Sequence, residues 1–145
     1  MTAVPEPKLR TRITGATASL GRTGFPHVTS ATGGALDIVT GPSQPGFNPI
    51  DLLYASLASC LAMSARIAAS QLGVLGRIGE ITVSVAGEKA SEGPNRVREF
   101  TIAFAVTGDI DSQTREKIVG IAEEICTVSN TLRHSPQITT TVSAG

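Results

Sequence analysis

Residues 48–71, NPIDLLYASLASCLAMSARIAASQ, constrain the fold more than any other stretch of the chain. Asn48 suits a helix N-cap, Pro49 the first helical position, and Asp51 the first turn, where a carboxylate meets the positive helix end. The helix these signals open runs to about Gln71 and closes at Gly73. Leu52, Leu53, Leu57, Leu61, Met63, Ile67 and Leu72, with many alanines between them, place apolar surface nearly all the way round. A helix apolar on every side is buried on every side. One small domain does not easily surround it, so the pattern predicts a second helix, a sheet and a second subunit. Ser56, Ser59, Ser64 and Arg66 break the apolar run, which argues against a membrane span.

The flanks supply the other layer. Residues 9–20 alternate loosely and are rich in Thr, as a half-solvated strand is. GRTGFP (residues 21–26) has turn composition, and ATGGALDIV (residues 31–39) carries a Gly-Gly turn into another strand. GPSQPGFNP (residues 41–49) reads as a loop. Beyond the helix, residues 78–86 alternate through Ile81, Val83 and Val85. After a turn, residues 97–107 alternate again through Phe100, Ile102, Phe104 and Val106. Residues 109–125 form an amphipathic helix capped by Asp111 or Ser112, with Ile118, Ile121, Ala122 and Ile125 inward. The run TVSNTLRHS leads to a closing strand at residues 137–142. The expected fold is α+β, a long central buried helix and a second helix packed with antiparallel strands. At 145 residues one domain, residues 1–145, accounts for the chain.

Charge excludes several functions. Twelve Lys and Arg balance twelve Asp and Glu, so no basic excess invites nucleic acid. One Tyr and no Trp leave no stacking platform for single strands. The polar start, MTAVPEPKLRTR, argues against a secretory signal peptide. A cytoplasmic protein with no membrane or nucleic-acid partner is the expectation.

Two cysteines remain, Cys60 and Cys126. In a reducing compartment such a pair is free or redox-cycling rather than a permanent bridge. No CxxC or HxxxH spacing accompanies them, and His27 and His134 lie far apart, so no metal site is expected. Cys60 reads two ways. A cysteine inside an apolar helix is usually inert packing, but here Ala55, Ser56, Ala58, Ser59, Ala62 and Ser64 leave room to approach the sulfur. The helix centre offers no dipole assistance, so activation is expected from a cation elsewhere. Cys126, at the end of the second helix, would complete a peroxidatic and resolving couple, in which a sulfenic acid condenses with a second thiol. Arg22, in its Gly-flanked turn, is either a solvated turn residue or a guanidinium that stabilises a thiolate. Asp51 is nine residues before Cys60, about half a turn out of phase and roughly 13 Å along the axis. It can act on the sulfur only by holding an arginine.

NPIDLLYASLASCLAMSARIAA resembles the central-helix motif of the OsmC/Ohr family, and CTVSNTLR resembles its second-cysteine motif, usually Cys-Pro-x-Ser-Asn. The order and separation of the motifs and the element order match as well. The resemblance implies a thiol-dependent peroxidase of organic hydroperoxides, an antioxidant stress-response protein that needs no bound cofactor. It implies an intertwined homodimer, with two long helices wrapped by strands of both chains and active sites at the interface. It assigns Cys60 as the peroxidatic and Cys126 as the resolving cysteine, Arg22 as the activating arginine, and a dithiol, often lipoyl, as the external reductant. Two positions depart from the pattern. The glutamate that pairs with the arginine in well-known branches falls at Ile50 here, with Asp51 next to it, as in a broader branch. Thr127 replaces the proline after the second cysteine. On the residues alone, a non-catalytic binder of apolar ligands and a redox sensor stand beside the peroxidase.

Overall fold

The computed structural model describes residues 13–41 and 43–144. They fall into two compact bodies, one ending at Ile50 and the other beginning at Asp51. The first body is an antiparallel meander of β1 (Ala16–Ser19), β2 (His27–Ser30) and β3 (Ala35–Asp37), in that order. Its register places Ala18 opposite Val28 and Val28 opposite Leu36. The expected strand at residues 9–20 is therefore short, and its part before Ile13 lies outside the described residues. The two predicted turns hold: residues 22–24 bend between β1 and β2, and Gly33, at φ +98°, turns β2 into β3. Across β2 and β3, His27 Nδ1 meets Asp37 Oδ1 at 2.7 Å on the exposed face.

The second body is built on α1 (Pro49–Gln71), β4 (Ile78–Lys89), β5 (Val97–Gly108), α2 (Ser112–Ile125) and α3 (Thr127–Arg133). α1 spans the expected residues. It ends as predicted at Gly73 (φ +74°), whose N–H bonds Ser70 O at 3.0 Å while the N–H of Val74 reaches Ala69 O at 2.9 Å. One face of α1 is buried, through Leu57, Leu61, Ser64, Ala65, Ala68 and Ala69. The alanines pack on Ile118 and Ala122 of α2, with Ile81 and Phe104 of the hairpin closing the cluster. Small side chains let the two helices approach closely.

Burial on all sides, expected of α1, does not occur within one chain. Met63 is 58% and Ile67 50% exposed, because β4, β5 and α2 cover a single side. By length and composition alone α1 could cross a membrane. Its alanine face packed on α2 instead makes it a core helix.

β4 and β5 form an antiparallel hairpin, with Val83 opposite Phe104 and Val85 opposite Ile102. β4 runs three residues past the predicted end, since Gly87, Glu88 and Lys89 still pair with Phe100, Glu99 and Val97. Tyr54 of α1 explains the glycine there: its ring lies edge-on to Phe100 with centroids 6.0 Å apart. A Cβ at Gly87 would collide with that ring. α2 starts where predicted, with Asp111 as N-cap accepting the N–H of Thr114 at 2.7 Å. Of the predicted inner stripe Ile118 and Ala122 are buried, whereas Ile125 is 39% exposed near the helix end.

TVSNTLR, on the way to the expected closing strand, forms the helix α3. The strand itself fails to appear. Residues 137–142 form no strand among the described residues, and Ile138 and Val142 stand 86% and 95% exposed. β-branched content gives a segment strand preference, but a ladder requires a partner edge, and β4 and β5 pair only with each other among the described residues.

Candidate active site

Cys60 lies on α1 beside its buried stripe, and Cys126 sits in the single residue between α2 and α3. The geometry at Cys126 follows from its backbone. At φ −71° and ψ 112° it leaves the helical region, so α2 ends there and α3 begins on a new axis. Its N–H still closes α2 on Ala122 O at 3.0 Å, and its carbonyl opens α3 by accepting the N–H of Asn130 at 3.0 Å. Its Sγ acts as the N-cap acceptor for the N–H of Ser129 at 3.4 Å. Asn130 Nδ2 bonds Glu124 O at 2.9 Å, tying the two helices across the bend.

This bend brings the two sulfurs together. Cys60 and Cys126 pack in one apolar cluster with Leu57 and Leu61. Both are free thiols; Cys126 is fully buried and Cys60 partly accessible. Burial by itself pushes the Cys60 thiol up. The N–H of Val128, the Cys126 thiol, the N–H of Thr127 and the Ser64 hydroxyl outweigh it and hold Cys60 below the ordinary thiol value. Cys126 moves the other way. Its burial raises it, opposed by the N–H of Ser129, and the hydrogen bond and charge of Cys60 add to the rise.

Thr127 and Val128 begin α3, where N–H groups have no carbonyl of their own helix to bond, and these amides serve the sulfur. Nothing in the pattern before Cys126 announces a helix there, so these donors are not legible in sequence. Ser64 is, because it stands one helical turn after Cys60. Arg22 lies exposed in the bend between β1 and β2, in the first body, and Asp51 in the first turn of α1. The groups that set the Cys60 thiol are Ser64, Cys126, Thr127 and Val128.

A cavity of about 420 Å³ adjoins the cluster. Leu57, Phe100 and Ile102 line it and also pack about the cysteines; Leu132, Ser129 and Arg133 complete the side formed by α3. Arg133 Nε donates to Ser129 Oγ at 3.2 Å. Among the described residues no group of three His, Cys, Asp or Glu side chains comes together to hold a metal.

The amide of Thr127 offers a direct check. Thr127→Pro removes one N–H donor at the first position of α3, where proline fits the helix. Cys126 already has the extended backbone that a following proline demands. Alkylation of Cys60 at pH 7 is expected to slow about three-fold, with unchanged circular dichroism. The thiolate is the reactive form and the wild-type pKa is depressed, so the deficit must vanish at high pH, where both proteins are ionised. An unaltered profile would remove the Thr127 amide from the site.

Residues 41–141 match the family model described as OsmC-like protein. Among solved structures, the organic hydroperoxide resistance protein OhrB of Bacillus subtilis is 28% identical, with a TM-score of 0.61 over 84% of this chain and 91% of its own. An OsmC-like protein from Mycoplasma pneumoniae superposes with a TM-score of 0.74 at 18% identity, over 87% of this chain and 91% of that one. An organic hydroperoxide resistance protein OsmC from Legionella pneumophila gives 0.65 at 23% identity, over 87% and 93%. The last two likenesses establish a shared α+β fold. No curated protein sequence matches the chain.

Proposed function

The chain belongs to the OsmC-like protein family, and on that premise we propose that it is a cysteine-based peroxidase that reduces alkyl or lipid hydroperoxides to alcohols. The observation that carries the reading is the pair of free thiols packed in one apolar cluster, Cys60 partly accessible and Cys126 fully buried. The Cys60 thiolate attacks the terminal oxygen of ROOH; the O–O bond breaks, the alkoxide leaves and takes up a proton, and Cys60 becomes a sulfenic acid. Cys126 attacks that sulfur, water leaves, and a Cys60–Cys126 disulfide forms. An external dithiol, of the lipoyl type, then reduces the disulfide and is itself oxidised. Leu57, Phe100, Ile102 and Leu132 give the adjoining cavity an apolar side for an alkyl or acyl chain, beside the polar Arg98, Glu99 and Arg133. The 28% identity to an organic hydroperoxide resistance protein supports the same substrate class.

The roles of Arg22, orienting the peroxide, and of Asp51, holding that arginine, enter the proposal by the family resemblance. So does the homodimer, which the exposed apolar residues of α1, Met63 and Ile67 among them, support. The cytoplasm is the proposed compartment.

The test adds a slight excess of cumene hydroperoxide to the reduced protein, quenches with an alkylating agent, and takes intact and peptide masses. Loss of two hydrogens mapped to a Cys60–Cys126 bridge is the expected result. Native mass spectrometry of the same sample is expected to show two chains. Two untouched, slowly alkylated thiols would sink the peroxidase reading and favour the non-catalytic binder. Oxidation that no dithiol reverses would favour a sensor.

A further inference from the structure

Cys126, Ser129 and Arg133 follow one another along α3 and its cap at helical spacing, so they share one face. Hydrogen bonds join them in that order. The N–H of Ser129 donates to Cys126 Sγ at 3.4 Å, and Arg133 Nε donates to Ser129 Oγ at 3.2 Å. Ser129 is 3% exposed, and a hydroxyl so buried needs such a bond. The C-terminal end of a helix favours any cation, but the donor used here, Nε–H, is one that lysine lacks. The guanidinium is held by that N–H, and no carboxylate of the described residues pairs with its Nη groups. Ser129 and Arg133 both line the cavity of about 420 Å³ whose Leu57, Phe100 and Ile102 also pack about the cysteines. At 1.5 Å per residue Arg133 stands roughly 10 Å along α3 from Cys126. Thiols and cation therefore sit at separated points of one apolar wall. Two other charged residues reach the cavity. Arg98 Nη2 meets Glu88 Oε1 at 3.1 Å, so its charge is already answered. Glu99 falls out of phase with Phe100 and Ile102 along β5, on the alternate face of the strand.

We propose that Arg133 binds the carboxylate of an acyl chain seated in this cavity, which makes carboxylate-bearing hydroperoxides the preferred substrates. Held by Ser129, the planar guanidinium offers its remaining N–H groups in the parallel pair that a carboxylate accepts. The roughly 10 Å between Arg133 and Cys126 leaves the intervening carbons to lie on Leu57, Phe100 and Ile102. Arg133 is a specificity residue in this scheme. The carboxylate site stands on the cavity alone, whereas a hydroperoxide as its occupant rests on the peroxidase reading.

The experiment titrates the reduced protein with decanoate, and separately with decanol, at pH 7 and low salt by isothermal calorimetry. No peroxide is present. Wild type is expected to bind the acid about three- to ten-fold more tightly than the alcohol. Because Arg133 is exposed, the preference should shrink in high salt. Arg133→Gln is expected to bring the ratio of affinities to about one. Arg133→Lys, which keeps the charge without the fork, should give an intermediate ratio. Equal affinities in wild type, or binding of neither compound, overturn the proposal without recourse to any variant. A preference that survives Arg133→Gln and is lost in Arg98→Gln overturns it too. Turnover then separates the two readings, with a fatty-acid hydroperoxide compared against its methyl ester. In Arg133→Gln the KM for the acid is expected to rise to that of the ester. An acid preference in a protein that reduces no hydroperoxide upholds the carboxylate site and overturns the peroxidase reading alone. Turnover with no acid preference overturns the site alone.

Discussion

Cys60→Ser is expected to consume no cumene hydroperoxide above background, a loss of at least about a thousand-fold, because a serine hydroxyl without a general base is a poor nucleophile. The substitution changes one atom, and the serine can occupy the same position between Leu57 and Leu61. Cys126→Ser should behave differently. Its Cys60 keeps the N–H groups of Thr127 and Val128 and the Ser64 hydroxyl, so a first equivalent of peroxide is still reduced. With no resolving thiol the sulfenic acid persists, and excess peroxide drives it to the sulfinic state. Turnover stops while a mass increase of one, then two oxygens appears on Cys60. Arg22→Gln tests the guanidinium: loss of one preorganised donor to the reacting oxygen is expected to lower the rate about ten- to a hundred-fold. Asp51→Asn should cost less, since it acts through the arginine. Full turnover by Cys60→Ser would end the proposed chemistry, and wild-type rates for Arg22→Gln and Asp51→Asn would remove both from it.

What could be read from sequence divides along the range of the interactions. α1 was legible at both ends because its signals are local: Pro49 at its start, Asp51 in its first turn and a left-handed glycine at 73. The β4–β5 hairpin was legible because alternation through Ile81, Val83, Val85 and Phe100 to Val106 has a period only a strand satisfies. α3 was not, since seven residues carry too little periodicity and its cap is a cysteine sulfur. The strand expected at residues 137–142 shows the opposite error, for composition supplied preference where no edge was offered. The site follows the same rule. The candidate cysteines and their motifs stood in the sequence, and Ser64 was visible as the residue one turn on. The amides of Thr127 and Val128, which outweigh the burial of Cys60 together with Cys126 and Ser64, depend on the bend at Cys126. That bend is a long-range consequence of packing.

Two glycine-to-alanine substitutions should move stability in opposite directions, and Gly108→Ala carries the larger effect. Gly108 ends β5 at φ +130°, a region costly to a residue with a Cβ. An added Cβ would also strike the carbonyl oxygen of Arg77 and lie 2.9 Å from the N of Gly79, both backbone atoms. The chain has little freedom to yield. Gly108 pairs with Ile78, the N–H of Asp109 holds Arg77 O at 3.0 Å, and Arg115 bonds Val106 O, Gly108 O and Ile110 O at 2.8, 3.2 and 2.7 Å. Strain of about 1–3 kcal/mol from the dihedral adds to the overlap, so a loss of at least about 3 kcal/mol is expected, a large share of a domain's usual 5–15 kcal/mol. Because β5 supplies Phe100, Ile102 and Phe104 to the packing about the cysteines, the alkylation order of Cys60 and Cys126 should blur in the same variant. Gly120 is the counterpart. It lies exposed inside α2 with nothing within 4 Å of an added Cβ, so alanine there should stabilise by about 0.5–1 kcal/mol through the lower backbone entropy of the unfolded chain. Urea unfolding of both variants reads the difference as midpoints displaced to either side of wild type at unchanged slope. A Gly108→Ala midpoint at or above that of wild type would mean that the end of β5 is not held as described.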